Sequence, residues 1–174
     1  KELTAAEFKV QTNFTNVSWN FTNVWKMSSI QGRPVLIDVY EPITISTAEG
    51  LKAFADSVNA GKNYSGETIV LVNDIDLGGS ASNKWTPIGG NNSNQFQGTF
   101  DGWGHKVTGL YVDSNTIAYS GLFGYLGRGG AIKNVGVSGT VKATTNVGGV
   151  CGISYGTISN CYNECTVSGT YYVG

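Results

Sequence analysis

Lys106-Val-Thr-Gly-Leu-Tyr-Val112, Ala131-Ile-Lys-Asn-Val-Gly-Val137 and Thr157-Ile-Ser-Asn-Cys-Tyr-Asn163 are the stretches whose reading decides the fold. Aligned on Val107, Ile132 and Ile158, they recur at spacings of 25 and 26 residues, a period typical of stacked repeat units. A second track agrees. Tyr119-Ser-Gly-Leu-Phe-Gly124, Val147-Gly-Gly-Val-Cys-Gly152 and Val173-Gly174 align Ser120, Gly148 and Gly174 at spacings of 28 and 26. Within the first track, apolar residues fall at positions one, four and usually six, with Gly109, Asn134 or Asn160 at position three. Strict strand alternation would place them at one, three and five. One residue is therefore absorbed in each unit, and Gly and Asn are the types that enter the left-handed conformation most readily. The pattern predicts an all-β, right-handed parallel β-helix with coils of about 25–28 residues, bending at a stacked Gly/Asn corner.

Working outward, one helix is expected at about 47–60. Ser46 and Glu49 read as a capping box, Leu51, Phe54, Ala55 and Val58 recur at helical spacing, and Asn59 to Gly61 supplies the stop. Its expected place is over the N-terminal end of the solenoid, whose strand edge would otherwise stand open. Thr68-Ile-Val-Leu-Val72 reads as a buried strand. Residues 1–43 differ in character and read as an upstream segment of short strands or linker, preceding a module at 44–174. Phe14, Val17, Trp19, Phe21, Val24 and Trp25 are set there among Thr, Asn and Ser, and N-x-S/T triplets stand at Asn13, Asn16 and Asn20. With its one methionine at Met27 and its third repeat stopping mid-motif at Gly174, the chain reads as part of a longer protein.

Composition narrows the function. Lys and Arg number 11 against 12 Asp and Glu, so no basic excess exists to neutralise phosphates, and nucleic acid is not the expected partner. Gly at 25 of 174 with only 3 Pro, and a hydrophobic share of 40%, argue for tight turns between strands around a filled core. No run approaches the roughly 18 apolar residues that span a bilayer. Cys151, Cys161 and Cys165 fit no zinc spacing and read as small core residues, with a Cys151–Cys161 bridge as the alternative.

The run Trp85-Thr-Pro-Ile-Gly89, Phe96-Gln-Gly-Thr-Phe-Asp-Gly102, Gly104-His105 and Gly121-Leu-Phe-Gly124, with its second copy Gly149-Val-Cys-Gly152, resembles the GLUG-repeat family. Asn73-Asp-Ile-Asp-Leu-Gly78 and the stretch from Phe21 to Leu36 are similar to segments that border such arrays. The resemblance covers roughly residues 44–174, and 14–40 more loosely. It implies a β-helix on a bacterial cell surface or cell wall, secreted and adhesin-like, used for display or binding. Trp103 departs from the family's pattern, which has a small polar residue in that turn.

An enzyme on the same scaffold, a polysaccharide lyase or hydrolase, would need facing carboxylates. Asp74 and Asp76 share one strand face by alternation, and Asp101 belongs to the next coil. The same three are the candidates for calcium, while the plainer reading has them hydrogen-bonding their own turns. His105, the single histidine, sits in a glycine turn and reads as turn-stabilising. Aromatics carry the binding expectation, since Tyr and Trp give stiff contact area with a polar tip. Trp103, Tyr125, Arg128 and Tyr155 are the candidate ligand-binding residues. The function expected is thus a non-catalytic, extracellular, adhesin-like module without a required cofactor. Its expected partners are glycans, surface or matrix proteins, and neighbouring repeats. The alternatives are a polysaccharide-acting enzyme and a ligand-free structural stalk.

Overall fold

The structure, a computed structural model, describes residues 25–27, 34–36 and 41–174. The triplets at Asn13, Asn16 and Asn20 and the aromatics between 14 and 24 lie outside the described residues. The chain divides into two units, Lys1–Pro42 and Ile43–Gly174. In the first, β1 (Trp25–Met27) pairs antiparallel with β2 (Pro34–Leu36), Trp25 facing Leu36 and Met27 facing Pro34.

The second unit is a parallel β-solenoid of about five turns. One face is a five-stranded parallel sheet. In sheet order it runs β3 (Ile43–Ile45), β4 (Thr68–Leu71), β6 (Thr99–Asp101), β9 (Ala131–Lys133) and β13 (Thr157–Ser159). A second face stacks β5 (Ile75–Asp76), β7 (Lys106–Asp113), β10 (Gly136–Lys142) and β14 (Tyr162–Ser168), again parallel. The third pairs β8 (Phe123–Leu126) with β12 (Cys151–Ser154), prolonged by bridges from Ile88 to Phe123 and from Phe96 to Leu126. A short corner sheet joins β11 (Thr145–Val147) to β15 (Tyr171–Val173).

Identical faces stacked in register place like side chains above one another. Ile43, Ile69, Phe100, Ile132 and Ile158 form one such column through the first face. Its three middle members are fully buried, whereas Ile43 and Ile158 at the two ends are 37% and 41% exposed. Each fully buried member is worth about 1.5–3 kcal/mol relative to exposure, so the interior coils hold the column together.

The period is as the sequence predicts, but the register of the first track is not. Val107 pairs with Val137 and Ile75 on the second face, while Ile132 and Ile158 stack with Phe100 on the first. The reason is the corner. Asn134 and Asn160, with φ of 54° and 52°, turn the chain in a single left-handed residue, whereas the preceding coil turns through Asp101-Gly-Trp-Gly-His105. Gly109 is not a corner. Thr108 and Gly109 together oppose Ser138, so the extra residue is a β-bulge, with Gly109 at φ 64° where a side chain would be strained. The second track stands at Phe123 and Cys151, 28 residues apart, although Ser120 bridges Val147 rather than Gly148.

The helix α1 spans Ala48–Asn59 and buries the apolar face expected of it, Leu51, Phe54, Ala55 and Val58. Its N-cap is Thr47, not Ser46: the Thr47 hydroxyl accepts from Gly50 N–H at 3.1 Å, which leaves Glu49 outside the box. Phe54 meets Tyr64, Phe96 and Phe100 with ring centroids 5.0, 5.6 and 6.0 Å away, so the helix closes the end of the core formed by the first coils. Asn59 fastens its exit. The amide donates to Pro87 O at 3.1 Å, its Oδ1 accepts from Gly89 and Gly90 N–H, and its own carbonyl accepts from Asn94 at 2.7 Å.

Candidate functional site

Three of the four residues expected to bind ligand come together on the third face. β8 carries Tyr125 outward between the buried Gly124 and Leu126, and the next coil delivers Tyr155 just after β12. Their rings stack at 5.5 Å with planes 24° apart. That separation is close to the spacing of neighbouring parallel strands, so coil stacking itself builds the pair. Tyr119 meets Tyr125 edge-on at 5.3 Å, a contact the sequence track around Ser120 implies but does not single out. Arg128, on the Gly127-Arg-Gly-Gly130 turn, places its guanidinium 6.0 Å from the Tyr155 ring centre. Tyr155 is 52% exposed and Arg128 is exposed. Burial, then the neighbouring Tyr155 and Tyr119 phenols, hold the Tyr125 hydroxyl above its ordinary pKa. At neutral pH the Tyr125 hydroxyl is therefore kept as an O–H group.

Trp103 is not part of this cluster. It is 56% exposed at the corner between the first and second faces, with φ 55°, and Asp101 Oδ1 accepts its N–H at 2.9 Å. The same Asp101 oxygen accepts the Asn134 amide at 2.9 Å, and Asn160 donates to Asn134 Oδ1 at 3.2 Å. These bonds form a polar ladder along the corner, from coil to coil.

The three carboxylates considered for calcium or catalysis are each engaged in turn structure. Asp74 Oδ1 accepts from Lys106 N–H at 2.9 Å and lies 3.1 Å from His105 Nδ1. The Lys106 bond first, then His105, lowers its pKa. Asp76 accepts Gly78 N–H at 2.9 Å. Burial pushes Asp101 up, but the Asn134 amide, Trp103 N–H and Lys133, at 3.2 Å, outweigh it and leave the group below its ordinary value. Among the described residues, no three His, Cys, Asp or Glu side chains converge as metal ligands.

A cavity of about 190 Å³ lies between α1 and the first coil, bounded by Lys52, Asp56, Leu77, Asn83, Lys84 and Trp85. Of its charged residues, Lys52 pairs with Asp56 at 3.1 Å and Lys84 with Asp113 at 3.8 Å, while Glu49 stands exposed in the first turn of α1. Trp85 is used structurally, its indole N–H donating to Leu122 O at 3.0 Å. Cys151, Cys161 and Cys165 are unpaired thiols packed against the core, and no Cys151–Cys161 bridge forms. Burial raises Cys151 to about 12 and Cys165 to about 11.

No family model matches the chain, and no solved structure does. Over 131 residues, 68% of its length, it is 38% identical to part of a protein from Evansella cellulosilytica described as a Gly-rich membrane protein. Over 140 residues, 76% of its length, it is 30% identical to part of halomucin from Haloquadratum walsbyi. The chain spans 14% of the first relative and 2% of the second.

Proposed function

We propose that this solenoid is a non-catalytic, extracellular repeat module of a large surface protein, akin to GLUG repeats, and that it binds glycan or protein ligands through the Tyr119–Tyr125–Tyr155–Arg128 face. The observation that carries this reading is the stacked Tyr125–Tyr155 pair, with Tyr155 half-exposed, Tyr125 partly buried and an exposed guanidinium beside them. A stalk has no use for large aromatics on a solvent face, whereas such rings supply most of the contact energy in binding sites. The names of the two relatives, a membrane protein and halomucin, support surface placement. Among the described residues no helix is long and apolar enough to cross a membrane. The lowered pKa values of Asp74 and Asp101 support a non-catalytic reading, because a glycosidase acid needs its carboxyl raised.

The test is a binding screen of the purified chain against arrayed glycans and matrix proteins, with and without calcium. A ligand is expected whose affinity falls about tenfold or more in Tyr155→Ala or Tyr125→Ala, and stays unchanged in Trp103→Ala. No ligand at all, or one indifferent to both tyrosines, refutes the proposal.

A further inference from the structure

The charge pattern around the tyrosine face goes further than its aromatic character. Residues 114–163, which build the whole of this face beyond the first coil, contain no Asp or Glu and three cations, Arg128, Lys133 and Lys142. Two of those cations have acidic neighbours elsewhere. Lys133 pairs with Asp101 at 3.2 Å, and Lys142 stands opposite Asp113 in the sheet register. Arg128 has no carboxylate partner among the described residues; its guanidinium lies 6.0 Å from the Tyr155 ring and its charge also acts on the Tyr125 hydroxyl. Its turn holds it there. A Cβ at Gly130 would meet Phe96 O at 2.9 Å and Leu126 Cδ1 at 2.7 Å, so the loop lies tight on the coil below.

An exposed guanidinium without a counter-ion, set beside phenolic donors, is a recognition site for an anion with two oxygens. The tyrosines add what an inorganic anion does not use, a stiff apolar and hydrogen-bonding surface repeated from one coil to the next. A ligand that alternates carboxylates with ring C–H surface and hydroxyls matches both. We propose that the tyrosine face binds acidic polysaccharide, a uronate-type chain whose carboxylate is held by Arg128 and whose sugar rings lie against Tyr155 and Tyr125. This rests on the binding role proposed above for the same face and specifies its ligand class.

The experiment is titration calorimetry of the chain in EDTA with oligogalacturonate and with the same oligosaccharide after carboxyl reduction. Expected are at least tenfold tighter binding of the charged sugar and an affinity that falls with added salt. Arg128→Gln is expected to lose about tenfold toward the charged sugar and nothing toward the reduced one. Tyr155→Ala weakens both. Equal affinity for the two sugars, or indifference to Arg128→Gln, overturns the acidic ligand while leaving a glycan-binding face. Silence toward both, with a protein ligand from the screen that is lost in Tyr155→Ala, also overturns it and leaves the binding role intact. Silence toward sugars and proteins alike overturns both.

Discussion

Replacing Phe54 by Ala removes the ring through which α1 seals the solenoid. The side chain is 5% exposed and packs on Tyr64, Phe96 and Phe100, with two of the three contacts edge-on. Truncating a buried Phe costs about 3–5 kcal/mol, through lost transfer energy and the cavity left behind. Collapse into that cavity is limited, because Phe100 is held in β6 between β4 and β9 and Phe96 is bridged to Leu126. A cost of about 4 kcal/mol is therefore expected, a large part of the 5–15 kcal/mol that stabilises a typical domain. At about 2–4 °C per kcal/mol for a chain of this size, the melting temperature should fall by roughly 8–16 °C. Urea unfolding followed by tryptophan fluorescence and by circular dichroism reads the free energy. Lys52→Ala is the control. It breaks an ion pair whose partners are 68% and 61% exposed, and such pairs are worth about 0–1 kcal/mol. A Phe54→Ala cost under 1 kcal/mol, or a helical signal lost well before the sheet signal, would show that the helix is an appendage and the argument wrong.

The corner ladder predicts a contrast at Asn134. Asn134→Ala must keep φ 54° and loses both ladder bonds, costing about 2–3 kcal/mol, whereas Asn134→Gly loses the bonds alone, about 1 kcal/mol. Equal losses in chemical denaturation would remove strain from the account. Asp101, with its folded pKa depressed, contributes stability that is present above the unfolded value near 3.8 and is lost as pH falls through the folded one. Acid unfolding should thus be shallower in Asp101→Asn below about pH 4, and an unchanged profile counts against the Lys133 and Asn134 contacts. Finally, the last coil leaves Ile158, Tyr162, Tyr171 and Val173 exposed along strand edges that pair with no further strand among the described residues. This 174-residue chain should therefore associate as its concentration rises, and Ile158→Lys with Thr166→Lys should return it to monomer in light scattering. A wild-type chain that stays monomeric at millimolar concentration contradicts this.

The solenoid and its period are legible in the sequence because each coil repeats the same burial pattern. Phe123 and Cys151, or Ile132 and Ile158, stand one coil apart in the chain and touch in space. The face to which Lys106–Val112 belongs was not legible. Bulge and corner both absorb one residue through Gly or Asn at positive φ, so position three of the motif looks the same in either role. Only strand pairing separates Gly109, which bulges, from Asn134, which turns. The helix cap slipped by one residue because Ser46 and Thr47 are both capping types, Ser the better of the two, and the backbone places Thr47 at the position whose hydroxyl accepts from Gly50 N–H. Of the candidate site, Tyr125, Arg128 and Tyr155 were visible as aromatics and a cation near glycine turns. Their convergence depends on a 30-residue offset that brings Tyr155 over Tyr125 although Ile153 is the strand partner. Asn59, which ties α1 to the loop after Trp85, carries no sequence signal beyond a helix stop.

The plug formed by α1 gives the solenoid a direction. A coil needs a finished neighbour to lay its strands against, and here the finished neighbour lies on the N-terminal side, where Phe54 already closes the core over Phe96 and Phe100. A polypeptide emerging N-terminus first, from a ribosome or through an export pore, therefore presents its template before the segments that must copy it. Each later coil can zip onto the last as it appears, with one fresh edge exposed at any moment. A rod built in this way can be lengthened to any number of coils without lengthening the search that each one makes for its place.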